Sequence, residues 1–182
     1  VVGANFAFGQ GRRGTAEMLR ASPAFKTEVV QPVFGEGAVY SSTAARAHLA
    51  EGRFGAAAEI LGWPWRIEAE VLHGDKRGRT LGFPTANQDT GVTLRIPYGI
   101  YAVRARLTGE ENWRCGVANF GLRPMFKLER PLLETFIFDF SGDIYGKVLA
   151  VQPVRHLRGE LRFENLEALV AHAGDFTAAV AR

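Results

Sequence analysis

The sequence predicts a mixed α/β chain whose larger part is a small antiparallel β-barrel. Helix and strand signals alternate up to residue 62, apolar residues of period two follow from Trp63, and a single helical pattern lies near the end. About six strands in roughly 90 residues favour a closed barrel, because closure removes exposed strand edges. We therefore place a domain boundary between residues 62 and 63.

Residues 1–62 contain the start and stop signals of short helices and of a valine-rich strand. The predicted elements are a helix capped by Thr15 and ending at Arg20, a strand over 26–34, a helix capped by Ser41-Ser42-Thr43 and ending at Gly52, and a helix over 54–61 followed by Gly62. The opening Val1-Val2-Gly3 resembles the end of a buried strand, so we expect the chain to be a piece of a longer protein.

The second part of the chain contains period-two strands between turns rich in glycine and proline, and then one amphipathic helix. The predicted strands cover residues 66–72, 85–87, 99–108, 113–119, 132–140 and 147–154. The helix begins near Asn165, where Leu166, Leu169, Val170, Ala173 and Val180 recur at helical spacing. We expect this helix to pack on the barrel.

The composition of the chain limits the kinds of molecule that it is expected to bind. The chain is 47% hydrophobic and 23% charged, and its net charge of +3 is spread along the sequence rather than clustered in a basic stripe. This distribution favours an anionic small molecule over a nucleic acid. Cys115 is the only cysteine, and no apolar run reaches the roughly 18 residues of a membrane helix. We therefore expect a cytoplasmic protein that contacts neither nucleic acid nor membrane.

A segment rich in glycines and cations lies between the first two barrel strands. Residues 73–82 contain three glycines and three cations, an arrangement that brings N–H groups and positive charge against phosphates. The segment is not a Walker A loop, since the G-x-x-x-x-G-K-[ST] pattern is absent. A solvated hairpin turn is the alternative, and composition leaves both open.

The next segment offers two oxygen-bearing side chains on one face. Thr85 and Asn87 lie two residues apart in an extended run, so they point the same way. Mg²⁺ takes few protein oxygens and completes its shell with water and substrate phosphates, which makes this pair a candidate anchor. The alternative is a strand with a surface threonine and a surface asparagine.

The strand over 132–140 places a carboxylate on an aromatic face. Period two puts Glu134 beside Phe136, Phe138 and Phe140. Apolar surroundings make a carboxylate costly to bury and suit it to general-base chemistry. The alternative is a glutamate at the barrel rim that pairs with an arginine such as Arg123 or Arg104.

The run 78–87, with its Pro-Thr-Ala-Asn core, resembles the signature of riboflavin kinases. Further landmarks of the family follow in order, at 99–101, 117–124, Glu134, 143–147, 157–160 and Phe163. Position 125 departs from the family pattern, because methionine stands where threonine commonly follows the proline.

The resemblance implies a six-stranded barrel kinase that uses Mg²⁺ and ATP to convert riboflavin to FMN, releasing ADP. Thr85 and Asn87 would hold the metal and Glu134 would be the catalytic base. The residues implied for ATP phosphates are Gly74, Lys76, Gly78, Arg79, Gly82 and Thr85, and those implied for the flavin are Asn119, Arg158 and Phe163.

The first part of the chain resembles the bacterial two-domain FAD synthetase. Residues 3–9 and 41–46 are similar to late motifs of its FMN adenylyltransferase domain, which implies an incomplete Rossmann-like α/β domain over residues 1–62. The second motif would be a phosphate-binding helix start with Ser41, Ser42, Thr43 and Arg46. The catalytic H-x-G-H motif is absent, so we expect no FAD synthesis from this chain.

Two other classes of function stay open at this point. One is an OB-like barrel that stacks single-stranded nucleic acid on aromatic side chains, and the other is a flavin-binding barrel without turnover. The Pro-Thr-Ala-Asn core and the apolar setting of Glu134 favour the kinase, because a nucleic-acid platform needs neither.

Overall fold

A computed structural model describes residues 1–35, 38–73, 84–91, 95–125 and 128–159. The chain divides into two compact units, Val1–Ala44 and Ala45–Arg182. The helix predicted from Asn165 lies outside the described residues. In the part that is described, no helix has the length and apolar character needed to cross a membrane.

The first unit is built from very short elements. A parallel pair joins β1 to β4, and two antiparallel pairs join β2 to β3 and β5 to β6. The elements are β1 (Val2–Gly3), β2 (Ala7–Phe8), β3 (Gly14–Thr15), α1 (Ala16–Arg20), β4 (Val29–Val30), β5 (Phe34–Gly35) and β6 (Ala38–Val39), with a 3-10 turn at Gln10–Arg12.

Two predictions for this unit need correction and one is confirmed. Thr15 caps α1, since its hydroxyl accepts a hydrogen bond from the Met18 amide at 3.4 Å. The strand predicted over 26–34 is reduced mainly to β4, because Pro32 lacks the N–H that a ladder requires. The strand at the start of the chain forms as β1, but Val2 is only half-buried and Gly3 is exposed, so this strand is not a buried one.

Helices α2 (Ser42–Ala50) and α3 (Phe54–Leu61) form as predicted. Helix α3 ends because Gly62 adopts the left-handed conformation, with φ of 78°. The buried ring of Phe54 packs parallel to Trp65 at 6.3 Å and edge-on to Tyr101 at 5.7 Å. The second compact unit therefore includes α3 as well as the strands that follow residue 62.

Six strands of the second unit form a nearly closed antiparallel barrel, in the order β7-β12-β9-β10-β11-β8. They are β7 (Ile67–Glu70), β8 (Ala86–Asp89), β9 (Gly99–Leu107), β10 (Arg114–Met125), β11 (Leu128–Ile137) and β12 (Val148–Arg158). A bridge between Leu72 and Asn87 closes the ring, with the Leu72 amide donating to the Asn87 carbonyl at 2.7 Å. Strands form at all six predicted places, although β11 begins and ends earlier than the predicted range of 132–140.

The barrel interior is mainly aliphatic and aromatic. Its core comprises Ile67, Val71, Ala86, Tyr101, Val103, Ala105, Leu107, Ala118, Phe120, Leu133, Ile137, Leu149 and Val151. The buried Gln88 amide donates to the carbonyls of Ala69 and Leu149, both at 2.8 Å, and so ties β8 to β7 and β12. A smaller cluster contains Ile100 and Val117, with Phe136, Phe138 and Leu157 packed against it.

Candidate active site

A row of polar side chains crosses the outer face of the barrel. Asn87 of β8 pairs with Glu134 of β11, and Glu134 pairs with Asn119 of β10. Paired residues of antiparallel strands share one face, with Cβ atoms about 4.5–5.5 Å apart. This face points outward, because the alternate residues Leu133 and Thr135 are fully buried. The structure thus brings a carboxylate between two amides.

The same row continues across two more strands. Asn119 pairs with Ile100 of β9, and Ile100 pairs with Arg158 of β12. Four strand spacings separate Asn87 from Arg158, which is about 19 Å along the surface. Four of the residues predicted for the site, far apart in sequence, therefore lie in one line: Asn87, Asn119, Glu134 and Arg158.

A cluster of buried and half-buried apolar side chains borders this row. The pair Val117–Phe136 lies two residues along from the pair Asn119–Glu134, and so faces the same way. Phe136 and Phe138 meet edge to face, with ring centroids 5.7 Å apart. The prediction that Phe140 shares this face is wrong, because β11 ends at Ile137 and Phe140 packs against the interior core. Asp139, with φ of 52°, lies in the turn that separates them.

The strand pairing also tests whether Glu134 could form an ion pair with Arg104 or Arg123. We call the line of Asn87, Glu134, Asn119 and Arg158 the outer row. Arg104 pairs with Cys115, four residues along β10 from Asn119. That separation is about 13 Å, so Arg104 is not a neighbour of Glu134 in the sheet. The side chain of Arg123, the other arginine considered, lies outside the described residues. Half-buried Asn119 has a buried Oδ1 atom that accepts no hydrogen bond from any described residue.

A cavity of about 490 Å³ lies near the start of β8. Thr85 and Ala86 line it, together with the buried residue Thr135 of β11. Because Thr85 borders the cavity and Asn87 lies in the outer row, the start of β8 joins the two regions. The other lining residues are Val71, Pro84, Ile137, Phe140, Ser141, Gly142, Asp143, Ile144 and Tyr145.

Two aromatic residues of the cavity make contacts with charged side chains. The Arg114 guanidinium lies over the Phe140 ring, 5.1 Å from its centroid, and also pairs with Glu110. The Tyr145 amide donates to the Asp143 carboxylate at 3.1 Å. From the sequence, residues 143–147 are predicted only as a family landmark and not as part of a binding site. The available signal was a glycine- and aspartate-containing turn directly after an aromatic strand.

A family model for riboflavin kinase matches residues 61–180. The chain belongs to the riboflavin kinase family. Bifunctional riboflavin kinase/FMN adenylyltransferases from Haemophilus influenzae and Escherichia coli K12 are each 39% identical, over 171 and 173 residues. These alignments cover 92% and 93% of this chain but 55% of each relative, so the chain spans about half their length.

A solved structure is also similar to this riboflavin kinase family member. A crystal structure described as a macrolide-efflux protein from Streptococcus pneumoniae aligns with a TM-score of 0.77 and 31% identity. The alignment covers 95% of this chain and 56% of that chain.

The side-chain chemistry near the start of β8 is compatible with a magnesium ion. Thr85 and Asn87 supply neutral oxygens, which suit a hard cation, and Asn87 lies beside the Glu134 carboxylate. In the described ranges, no cluster of three or more His, Cys, Asp or Glu side chains could hold a metal. A cation bound here would therefore depend on phosphate oxygens and water for the rest of its shell.

The remaining predicted site residues fall into two groups. Gly74, Lys76, Gly78, Arg79, Gly82 and Phe163 lie outside the described residues. The helix start at Ser41 forms, but its hydroxyl accepts a hydrogen bond from the Ala44 amide at 3.1 Å, so Ser41 serves as the cap of α2. Ser42, Thr43 and Arg46 are exposed on α2.

Proposed function

We propose that this chain transfers the γ-phosphate of ATP to the 5′-hydroxyl of riboflavin, giving FMN and ADP. The observation that carries the proposal is the position of Glu134, between two amides and beside an aromatic surface. A chain of the riboflavin kinase family needs one site for a flat apolar ring with a polyol tail and another for a nucleotide. The outer row and the cavity provide surfaces of these two kinds.

The flavin lies on the outer face in this proposal. The half-buried rings of Phe136 and Phe138 offer apolar contact to the isoalloxazine ring, while the polar row follows the ribityl chain. The buried Oδ1 of Asn119 accepts a hydrogen bond from a ribityl hydroxyl, which satisfies that oxygen. Arg158, at the end of the row, and Phe163 also contact the flavin.

The nucleotide occupies the cavity in this proposal. A volume of about 490 Å³ lies within the range of small-molecule sites, and Phe140 and Tyr145 provide aromatic contact for a base. The phosphates then extend past Thr85 and Asn87, which hold the metal. The cations and glycines of residues 74–82 contact the same phosphates.

Phosphoryl transfer depends on in-line positioning and on neutralising charge. Glu134 accepts the proton of the riboflavin 5′-hydroxyl as that oxygen bonds to the γ-phosphorus. The bond between the γ-phosphorus and the β,γ-bridging oxygen breaks, and ADP leaves with the electron pair. A bound Mg²⁺ supplies positive charge to the phosphates. Asn87 and Asn119 flank the carboxylate and orient it toward the hydroxyl.

We further propose that residues 1–62 are the last part of an FMN adenylyltransferase domain in a longer, bifunctional protein. The support is that the chain spans about half the length of relatives named for both activities. The parallel pair β1–β4 agrees with an α/β domain of this kind. The H-x-G-H motif is absent from the sequence, so this chain itself is not expected to adenylylate FMN.

Incubation of the purified chain with riboflavin and Mg-ATP tests the proposal. We expect FMN and ADP in equal amounts, no turnover without a divalent cation, and no FAD from FMN and ATP. Chromatography of the flavins measures each product. Riboflavin binding without FMN formation would instead support a binding barrel, and FAD formation would contradict the interpretation of residues 1–62.

A further inference from the structure

We propose that His73 is a positioning residue for the nucleotide, because its imidazole stacks on Tyr145 and fixes that wall of the cavity. The ring centroids are 4.1 Å apart and the planes differ by 25°. Tyr145 lines the cavity directly, whereas His73 is not among its lining residues. The inference rests on the proposed function, since it assumes that the nucleotide occupies this cavity.

The backbone around Tyr145 is already held in place. The Tyr145 amide donates to Asp143, the Gly146 amide donates to the Val71 carbonyl at 2.9 Å, and the Val71 amide donates to the Lys147 carbonyl at 2.9 Å. These bonds fix the main chain but leave the Tyr145 side-chain torsions free. Stacking against His73 restricts rotation of the Tyr145 phenol ring. The ring is therefore already oriented when the nucleotide base binds.

His73 also lies at a junction in the chain. It directly follows Leu72, whose amide closes the barrel on Asn87, and directly precedes the segment of glycines and cations. Its side chain is exposed, so the interior core does not depend on it. Removing the imidazole should therefore loosen the cavity wall without unfolding the barrel.

Titration calorimetry on the full chain, with Mg-ADP and riboflavin as separate ligands, tests the inference. His73→Ala should weaken Mg-ADP binding by about 3- to 10-fold, the range of an aromatic pair, and raise KM for Mg-ATP by a similar factor. His73→Phe should restore ADP affinity to within about twofold, since it keeps a stacking ring. Riboflavin affinity should not change.

His48→Ala is the matched control, because it removes an imidazole from α2, and His48 does not line the cavity. Wild-type ADP affinity in His73→Ala, or equal losses in His73→Ala and His73→Phe, would overturn the inference. Tyr145→Ala distinguishes a failure of the inference about His73 from a failure of the proposal that the nucleotide occupies the cavity. If it binds ADP normally, the nucleotide does not use this cavity, and the proposed function loses that part. If it binds weakly while His73→Ala binds normally, only the inference fails.

Discussion

Glu134 shows how a short-range pattern and long-range pairing combine at a single residue. Alternation along β11 placed it correctly with Phe136, but the sequence did not reveal which face would be outside. Both faces of this strand are apolar, with Leu133 and Ile137 on one and Phe136 and Phe138 on the other. Hydrophobic pattern alone cannot separate them. The polar cross-strand partners of Glu134, Asn87 and Asn119, mark its face as the outer one. These pairings join residues that are distant in sequence, so the local pattern does not show them.

Replacement of this carboxylate gives the most direct test at the residue scale. Glu134→Gln keeps the shape and a hydrogen bond but cannot accept a proton, so we expect kcat to fall about 10²–10⁴-fold. Affinities for riboflavin and Mg-ADP should stay near those of the wild type, as measured by flavin fluorescence and calorimetry. Glu68→Gln is a suitable control, because Glu68 forms an exposed ion pair with Arg66. Normal turnover in Glu134→Gln, or a much lower melting temperature, would refute the role.

At the scale of elements, local signals predicted where helices stop better than where strands stop. Gly62 ends α3 through a conformation that glycine favours, and the sequence shows that glycine directly. Strand β11 ends three residues before its apolar pattern does, because Asp139 turns the chain with positive φ. Aspartate tolerates this conformation, but its presence does not require it. The end of β11 was therefore predicted too late.

Strand β10 contains a glycine that the close approach of β11 requires. A Cβ atom on Gly116 would lie 2.4 Å from the Phe136 carbonyl oxygen, inside the barrel wall. We expect Gly116→Ala to lower the free energy of unfolding by about 1–3 kcal/mol, the usual cost of overpacking. Urea denaturation measures it.

Gly55→Ala provides the opposite control for this substitution. Gly55 is exposed within α3, and a Cβ atom there meets nothing within 4 Å. Alanine should therefore stabilise the chain, by about 0.5–1 kcal/mol. If Gly116→Ala and Gly55→Ala changed the free energy of unfolding equally, β11 would be able to move away from a Cβ atom at position 116 without loss of stability.

At the scale of the whole molecule, two boundaries differ. The change from helices to barrel strands along the sequence does not coincide with the boundary between the two compact units. The strands of the barrel begin after residue 62, but the second compact unit begins at Ala45. Packing of Phe54 on Trp65 and Tyr101 connects α3 to the barrel. A change in pattern along the sequence reveals a change of element type, whereas a packing boundary depends on contacts between distant residues.

Shortened chains test this difference. A chain of residues 45–182 should fold and form FMN, because it keeps α3. A chain of residues 63–182 should be less stable by about 3–5 kcal/mol, comparable to deleting a buried phenylalanine. Melting temperature and FMN formation measure the two outcomes. Equal stability of the two chains would show that α3 contributes nothing to the barrel.

The bridge between Leu72 and Asn87 links barrel stability to ligand binding. In the described part of the chain, β7 and β8 meet through one bridge, Leu72–Asn87, supported by the Gln88 side chain. The backbone carbonyl of Asn87 completes the ring, and the same residue pairs with Glu134 in the outer row. A ligand that binds only the closed ring adds RT ln(1 + [L]/Kd) to its stability. If the proposed nucleotide binds only the closed ring, nucleotide occupancy and ring closure are linked equilibria, and added nucleotide lowers the fraction of chains in which the bridge is open.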